Sequence, residues 1–182
     1  MRIESFWKSV IGVSVVYASL VHAAFDTSIE VSSEMGNRLA AAEFPLTLEL
    51  EPERLFVTQP VLVFMDNKRL GISVRFQAYD HRPAEKVAVS ETGDAQFSGE
   101  LDFDPVTQQI LLHNPKLDSL KFDRDTKEAG RLSEKIKKAW QQQVGNPLQA
   151  DIPPHPYIAA FKDNIRDISY DGEAVRLHIS YE

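Results

Sequence analysis

Asp102 and Asp104 are the first pair of side chains whose spacing could do chemistry. They stand two residues apart in a predicted strand, so both carboxylates point to the same face. Such a pair could serve as a general acid and base, or could hold a cation. Phe97, Leu101 and Phe103 alternate with polar residues and face the other way. We therefore predict that Asp102 and Asp104 are solvated aspartates on the outer face.

A second group of carboxylates lies near the C-terminus and suggests calcium. Asp163, Asp167 and Asp171 are spaced four residues apart, but they lack the Asp-x-Asp-x-Asp-Gly loop of a calcium site. The histidines are also far apart, and none belongs to an His-Glu-x-x-His motif. They are His22, His81, His113, His155 and His178. The sequence therefore predicts no metal site.

Other reactive motifs are missing from the sequence. There is no cysteine, which excludes disulfides, thiolate metal sites and cysteine nucleophiles. No Gly-x-Ser-x-Gly nucleophile elbow, phosphate-binding loop or dinucleotide fingerprint occurs. We predict that the protein has no catalytic residues and no cofactor, and that it is not an enzyme.

The net charge limits the partners. At −7 the chain would be repelled by the phosphates of nucleic acid, so we predict no nucleic-acid partner. One basic cluster contains Arg131, Lys135, Lys137 and Lys138. We interpret it as the C-terminal half of a helix, where cations oppose the helix dipole.

The first 23 residues are typical of a secretory leader. Arg2 and Lys8 provide the positive charge, Val10 to Val21 form the apolar run, and Ala23 is a small residue suited to cleavage. An uncleaved anchor would need about 20 apolar residues, more than this run contains. We predict a signal peptide over 1–23 and a periplasmic or secreted product. Without a lipobox cysteine it has no stable membrane anchor after cleavage.

Residues 24–182 are predicted to form a single domain that begins with a strand and a helix. The strand lies around Phe25 to Glu30, the helix begins near Ser32, and Pro45 ends it. An alternation of apolar and polar residues then predicts a series of strands. Their apolar positions lie within Leu46–Leu50, Val61–Met65, Leu70–Ala78, Phe97–Phe103 and Ile110–Phe122. Val61–Met65 is apolar at every position, so we expect both of its faces to be covered.

A long helix, a crossing and a hairpin complete the predicted domain. The helix runs from a cap at Asp125 to a left-handed Gly145. Its apolar stripe contains Ala129, Leu132, Ile136, Ala139 and Trp140. The prolines of Gly145 to Pro156 predict a surface crossing without a central strand. Ile165 to Ile179 is predicted to be a hairpin that turns at Asp171-Gly172.

This order of elements predicts an α+β fold. We expect a curved antiparallel sheet, built as a meander, wrapped around a long amphipathic C-terminal helix, with a short N-terminal helix in addition. A closed lipocalin-like barrel is the alternative, but two helices and too few strands count against it.

Eight apolar residues are predicted to converge between the sheet and the long helix. If they pack completely they form the core, and if they leave a void they line a hydrophobic ligand pocket. These residues are Phe64, Val74, Phe76, Leu101, Phe103, Leu112, Ile136 and Trp140.

Three local phrases suggest a relationship to a known family. They are the helix with its stop at Ser32 to Pro45, the run from Asn67 to Gly71 that enters a strand, and Gly99 to Asp104 followed by Ile110 to Leu112. With the order of elements over Phe25 to Ile179, they make the chain resemble the YceB-like envelope proteins of Gram-negative bacteria. Several of those relatives look like lipoproteins, whereas this chain lacks the cysteine. The resemblance implies a fold similar to half of a tubular lipid-binding module, and thus hydrophobic ligand binding.

Two functions follow as hypotheses. The first is a periplasmic module that binds a hydrophobic or lipid-like molecule between sheet and helix. The second is a packed structural or adaptor domain that binds another envelope protein through Val61 to Met65 or a sheet edge. The sequence identifies no protein partner.

Overall fold

The computed structural model describes residues 27–65, 68–80, 88–152 and 161–181. The predicted leader therefore lies outside the described residues. The elements in chain order are β1 (Thr27–Val31), α1 (Ser33–Glu43), β2 (Leu46–Leu50), β3 (Glu53–Met65), β4 (Arg69–Asp80), β5 (Ala88–Asp104), β6 (Gln109–Phe122), α2 (Lys127–Gln143), β7 (Leu148–Asp151), a short 3-10 turn (Lys162–Asn164), β8 (Ile165–Tyr170) and β9 (Val175–Ile179).

The strands form two antiparallel sheets. β2 to β7 follow each other in one six-stranded meander, which curls into a half-barrel. β1, β9 and β8 form a separate three-stranded sheet in that order, so the first strand of the described chain pairs with the last. The three-stranded sheet packs against the meander through β8 and β5.

The predicted architecture is wrong in its fold class. Strands account for 59% of the described residues, and the two helices are short, so the domain is mainly antiparallel β. No long C-terminal helix organises it: α2 has 17 residues and is followed by β7, β8 and β9. The prediction underestimated the sheet because several strands are much longer than their apolar patterns, and β5 alone has 17 residues.

The sequence of strand β5 explains why its full length could not be predicted from the apolar pattern. Its inward positions opposite β4 include Glu91, Gly93 and Ala95, which are polar or small. No apolar alternation is visible there, and at Gly93 the curled sheet leaves no room for a side chain. A Cβ on Gly93 would lie 2.7 Å from the Phe76 ring and 2.2 Å from the carbonyl oxygen of Lys121. Glycine is therefore required by packing, and periodicity alone misses the N-terminal half of the strand.

Both helices begin at a side-chain cap. Ser32 Oγ accepts a hydrogen bond from the Met35 amide at 3.3 Å, as the predicted start near Ser32 requires. In α2 the cap is Thr126, whose Oγ accepts from the Ala129 amide at 3.0 Å, and not Asp125 as predicted. The helix ends at an extended Val144, so Gly145 is not its left-handed terminus.

The C-terminal region is partly as predicted. β8 and β9 form the expected hairpin, and Gly172 has a φ of 107° in its turn. The predicted crossing after Gly145 contains an additional strand, β7, which pairs with β6 at the edge of the meander. Proline excludes a central strand more strongly than an edge strand, which explains the omission.

One face of the meander carries most of the core. Ile72, Val74, Phe76 and Ala78 of β4 are all buried on this face, between equivalent residues of β3 and β5. Neither α1 nor α2, the two α-helices of the described chain, is long and apolar enough to cross a membrane.

Candidate functional site

A cavity of about 40 Å³ lies between the apolar face of the meander and helix α2. Every lining residue is apolar, so the cavity favours hydrocarbon over water. β2 to β6 and α2 all contribute to the wall. The lining residues are Leu48, Leu55, Val57, Val74, Phe76, Ala95, Phe97, Leu120, Ile136 and Trp140.

A β-bulge keeps the apolar face of β3 continuous. The register with β4 shifts between Thr58 and Val61, where Gln59 has a φ of 51°. Because one residue is added, the inward side chains change parity from Leu55 and Val57 before the bulge to Leu62 and Phe64 after it. Val61 is instead 50% exposed, so the prediction that both faces of Val61–Met65 are covered is wrong at this residue.

Helix α2 covers the cavity with residues one turn apart. Ile136 and Trp140 lie at i and i+4, and both are buried. The Trp140 ring stacks on Phe97 of β5, with ring centroids 4.8 Å apart and an angle of 22° between the planes. The rest of the predicted stripe, Ala129, Leu132 and Ala139, is also buried. The side of α2 facing the sheet was therefore predicted correctly.

Aromatic rings form one wall of the cavity. Phe76 of β4 meets Phe122 of β6 edge to face, with centroids 5.3 Å apart. The Phe76 ring lies over Gly93, the position where a larger side chain would displace it. Edge-to-face packing favours a defined ring position, so this wall is rigid relative to a wall of flexible aliphatic side chains.

A buried carboxylate ties α2 to the sheet beside the cavity. The side chain of Glu53, on the same face of β3 as Leu55, is only 2% exposed. Its two oxygens accept hydrogen bonds from Arg131 and Lys135 of α2, and Lys135 also donates to the carbonyl oxygen of Glu51. We call Glu53, Arg131 and Lys135 the ionic clamp.

The ionic clamp favours the charged states of Glu53 and Arg131. Burial raises the pKa of Glu53, but hydrogen bonds from Lys135 and Arg131 outweigh burial and bring the pKa below its usual value. Hydrogen bonds to Glu128 and Glu53 raise the pKa of Arg131. Glu53 and Arg131 therefore remain ionised at neutral pH.

A second polar contact holds the first turn of α2. The Thr126 hydroxyl, which caps the helix, donates to the buried carboxylate of Glu91 on β5. Arg124 lies 3.8 Å from the other carboxylate oxygen of Glu91, which accepts no hydrogen bond within the described part of the chain. The N-terminal half of α2 is thus fastened by polar contacts, whereas its C-terminal half is fastened by Trp140 and Phe97.

Four of the eight predicted pocket residues line this cavity. They are Val74, Phe76, Ile136 and Trp140. The other four, Phe64, Leu101, Phe103 and Leu112, are not among its lining residues. The structure thus divides the predicted set between two parts of the same apolar face.

The four remaining residues lie towards the three-stranded sheet. The Phe64 ring contacts Tyr170 of β8 edge to face, with centroids 5.3 Å apart. Leu101 pairs with Leu112, and Phe103 lies further along β5 towards the β5–β6 turn. We call this part of the face the packed end, and the part under α2 the cavity end.

Six lining residues were missed by the sequence interpretation. Leu48 and Leu120 belong to alternating apolar runs, so their strands carried a signal, but their position along the sheet did not. Leu55 lies outside the predicted strands, and Ala95 pairs with Val74 and faces the cavity. Val57 and Phe97 complete the missed set.

Asp102 and Asp104, the predicted pair of carboxylates, do not form a catalytic or metal-binding site with each other. Asp102 is exposed and lies 3.1 Å from His113 Nε2, while Asp104 accepts from Val106 and Thr107 in the β5–β6 turn. Within the described ranges, no three acidic or histidine side chains are close enough together to hold a metal ion.

The C-terminal aspartates serve the hairpin. Asp171 accepts hydrogen bonds from the amides of Ala174 and Glu173 and forms an ion pair with Arg176. These contacts lower the pKa of Asp171, and the two backbone hydrogen bonds contribute most. Asp163 lies in the 3-10 turn and Asp167 in β8. His81 and His155 lie outside the described residues.

Comparisons with known proteins provide no relative for this chain. No protein-family model matches it, and no curated protein matches it. The resemblance to the YceB-like envelope proteins therefore stays a prediction that rests on the three local phrases and the order of elements.

Proposed function

We propose that this protein is a non-enzymatic periplasmic module that binds a hydrophobic or lipid-like molecule between the curled sheet and α2. The observation that carries the proposal is the cavity at the cavity end, whose ten lining residues are all apolar. Apolar walls bind hydrocarbon through the hydrophobic effect and do not compensate polar groups.

The volume of the cavity sets a condition on binding. Pockets for drug-sized ligands measure about 300 Å³ or more, far above the 40 Å³ found here. Uptake therefore requires Ile136 and Trp140 to move away from the sheet. The curled sheet contributes more of the cavity wall than α2 does. Helix α2 is therefore the element that must move when a ligand enters.

A fixed α2 would favour the alternative function. A domain that stays closed over 40 Å³ is a packed structural or adaptor domain that binds another envelope protein. One candidate surface is the edge of β6 beyond its last pair with β7, at Leu112. Pro115, Lys116 and Lys121 lie on this edge, and such residues discourage strand pairing, which favours the ligand-binding proposal.

The test is native mass spectrometry of the protein isolated from its own periplasm without detergent. We expect an added mass that disappears on organic extraction, whereas the bare polypeptide mass would contradict ligand binding and favour the adaptor. Ala95→Val narrows the cavity from its wall and should reduce the fraction of the protein that carries the added mass. Leu101→Ala removes apolar atoms from the same face outside the cavity, and this matched control should retain it.

A further inference from the structure

The basic cluster of α2 has a different role from the one predicted. The last turn of the helix contains no basic residue, so compensation of the helix dipole does not explain the cluster. α2 nevertheless contains five Lys or Arg and two Glu, in a chain whose net charge is −7. A local excess of positive charge on one element of an acidic protein calls for a specific explanation.

Two of these cations lie close in the chain, directly or through their partner Glu53, to residues that line the cavity. Lys135 is adjacent to the lining residue Ile136, and its partner Glu53 is two residues from the lining residue Leu55. Arg131 lies one turn before Lys135 and reaches the same carboxylate. The Arg131 side chain is 50% exposed and that of Lys135 28%, so both remain accessible from solvent.

The contacts of Glu53 show that Arg131 and Lys135 together bind a carboxylate. The Glu53 carboxylate is held between a guanidinium and an ammonium group at the boundary between apolar wall and solvent. Arginine and lysine each form charge-assisted hydrogen bonds with carboxylates and also with phosphates. A ligand whose hydrocarbon lies in the cavity would bring its polar end to the same two cations.

We propose that the ligand is a single-chain amphiphile with an anionic head group, which Arg131 and Lys135 bind at the rim while the chain occupies the cavity. This inference rests on the proposed function. When α2 moves away from the sheet, Glu53 becomes accessible to water, so it loses its partners without remaining a buried unpaired charge. The head group then takes the place of Glu53 on the two cations.

The test compares decanoate with decanol, which differ in the head group. Trp140 is the single tryptophan outside the predicted leader, and Trp7→Phe makes it the single tryptophan of an uncleaved chain, so fluorescence reports on the cavity wall directly. We expect decanoate to bind about tenfold more tightly than decanol, as one charge-assisted contact predicts. In Arg131→Gln/Lys135→Gln the two affinities should become equal.

A charge-matched variant protects the test against misfolding. Arg131→Gln/Lys135→Gln leaves Glu53 without partners, which is destabilising when the carboxylate is buried. Adding Glu53→Gln removes all three charges and leaves no buried unpaired carboxylate, and this triple variant should also bind decanoate and decanol equally. Lys137→Gln, which removes only an exposed pair with Glu134, is the control and should keep the preference for decanoate.

The outcomes separate the two proposals. If the parent binds decanol as tightly as decanoate, or if the triple variant still prefers decanoate, the head-group inference is overturned and hydrophobic binding stands. If the parent binds neither compound, the proposed function itself is overturned. A preference for decanoate that is lost in the triple variant and kept in Lys137→Gln supports both.

Discussion

The two ends of the apolar face of the meander are covered in different ways. At the packed end a second sheet lies against β5, and Phe64 meets Tyr170. At the cavity end a single helix contributes Ile136 and Trp140. A sheet presents several rows of side chains to a facing sheet, whereas a helix presents one stripe. One stripe does not fill a curled surface, and a void remains.

This comparison locates the part of the molecule that can change. At the packed end the two sheets meet through apolar side chains such as Phe64 and Tyr170, and water does not replace such contacts. At the cavity end α2 is fastened through Glu53, Arg131 and Lys135, whose charges water can also solvate. We therefore expect ligand-dependent movement at the cavity end and high local stability at the packed end.

The largest expected effect is the loss of stability in Leu112→Ala at the packed end. Leu112 is only 1% exposed, and its truncation leaves a cavity that the surrounding sheet does not fill. We expect the free energy of unfolding to fall by about 2–5 kcal/mol. Urea denaturation followed by circular dichroism measures it. A loss below about 1 kcal/mol would show that the packed end is not tightly filled.

The next largest effect is expected in the ionic clamp. Glu53→Gln keeps the shape and removes the charge, which should cost about 1–3 kcal/mol at neutral pH because its partners are partly solvated. The ionised carboxylate stabilises the fold above its unfolded pKa of 4.5, and this contribution is lost as the pH falls through its lower folded pKa.

Urea denaturation of parent and Glu53→Gln at about pH 7 and about pH 3 checks this pH dependence. The difference in unfolding free energy should shrink at the acidic pH. An equal difference at both values would contradict the assignment of the effect to the Glu53 charge.

An effect as large as that of Glu53→Gln is expected from adding one methyl group at the packed end. In Gly99→Ala the new Cβ would lie 2.2 Å from Leu112 Cγ, so the buried leucine must shift. We expect a loss of about 1–3 kcal/mol from overpacking. Thermal unfolding compares the variant with the parent, and an unchanged midpoint would mean that Leu112 has free space around it.

The smallest effect on stability is expected from the same kind of change at the cavity end. Ala95→Val adds methyl groups to the wall of a 40 Å³ void, so the unfolding free energy should stay unchanged or rise by up to about 1 kcal/mol. The same denaturation experiment measures it. A loss as large as that of Gly99→Ala would remove the distinction between the two ends.

The sequence was sufficient to predict local structure where the pattern of apolar and polar residues was uninterrupted or where a turn had a clear signal. It predicted strand β4, the buried stripe of α2 and the Asp171-Gly172 turn because each depends on neighbouring residues. It missed the first half of β5, where Gly93 satisfies a packing requirement imposed by Phe76 from another strand. It also failed at β7, whose pairing with β6 compensates for the surrounding prolines.

The sequence predicted only part of the candidate site, because four of the eight predicted pocket residues line the cavity. Hydrophobicity by itself determined that Phe64, Val74, Leu101 and Trp140 belong inside. Only the tertiary structure decided that Val74 and Trp140 line a cavity while Phe64 and Leu101 lie at the packed end. A side chain's tendency to leave water is local, whereas a void depends on which element covers it, and that is set by contacts between residues distant in the chain.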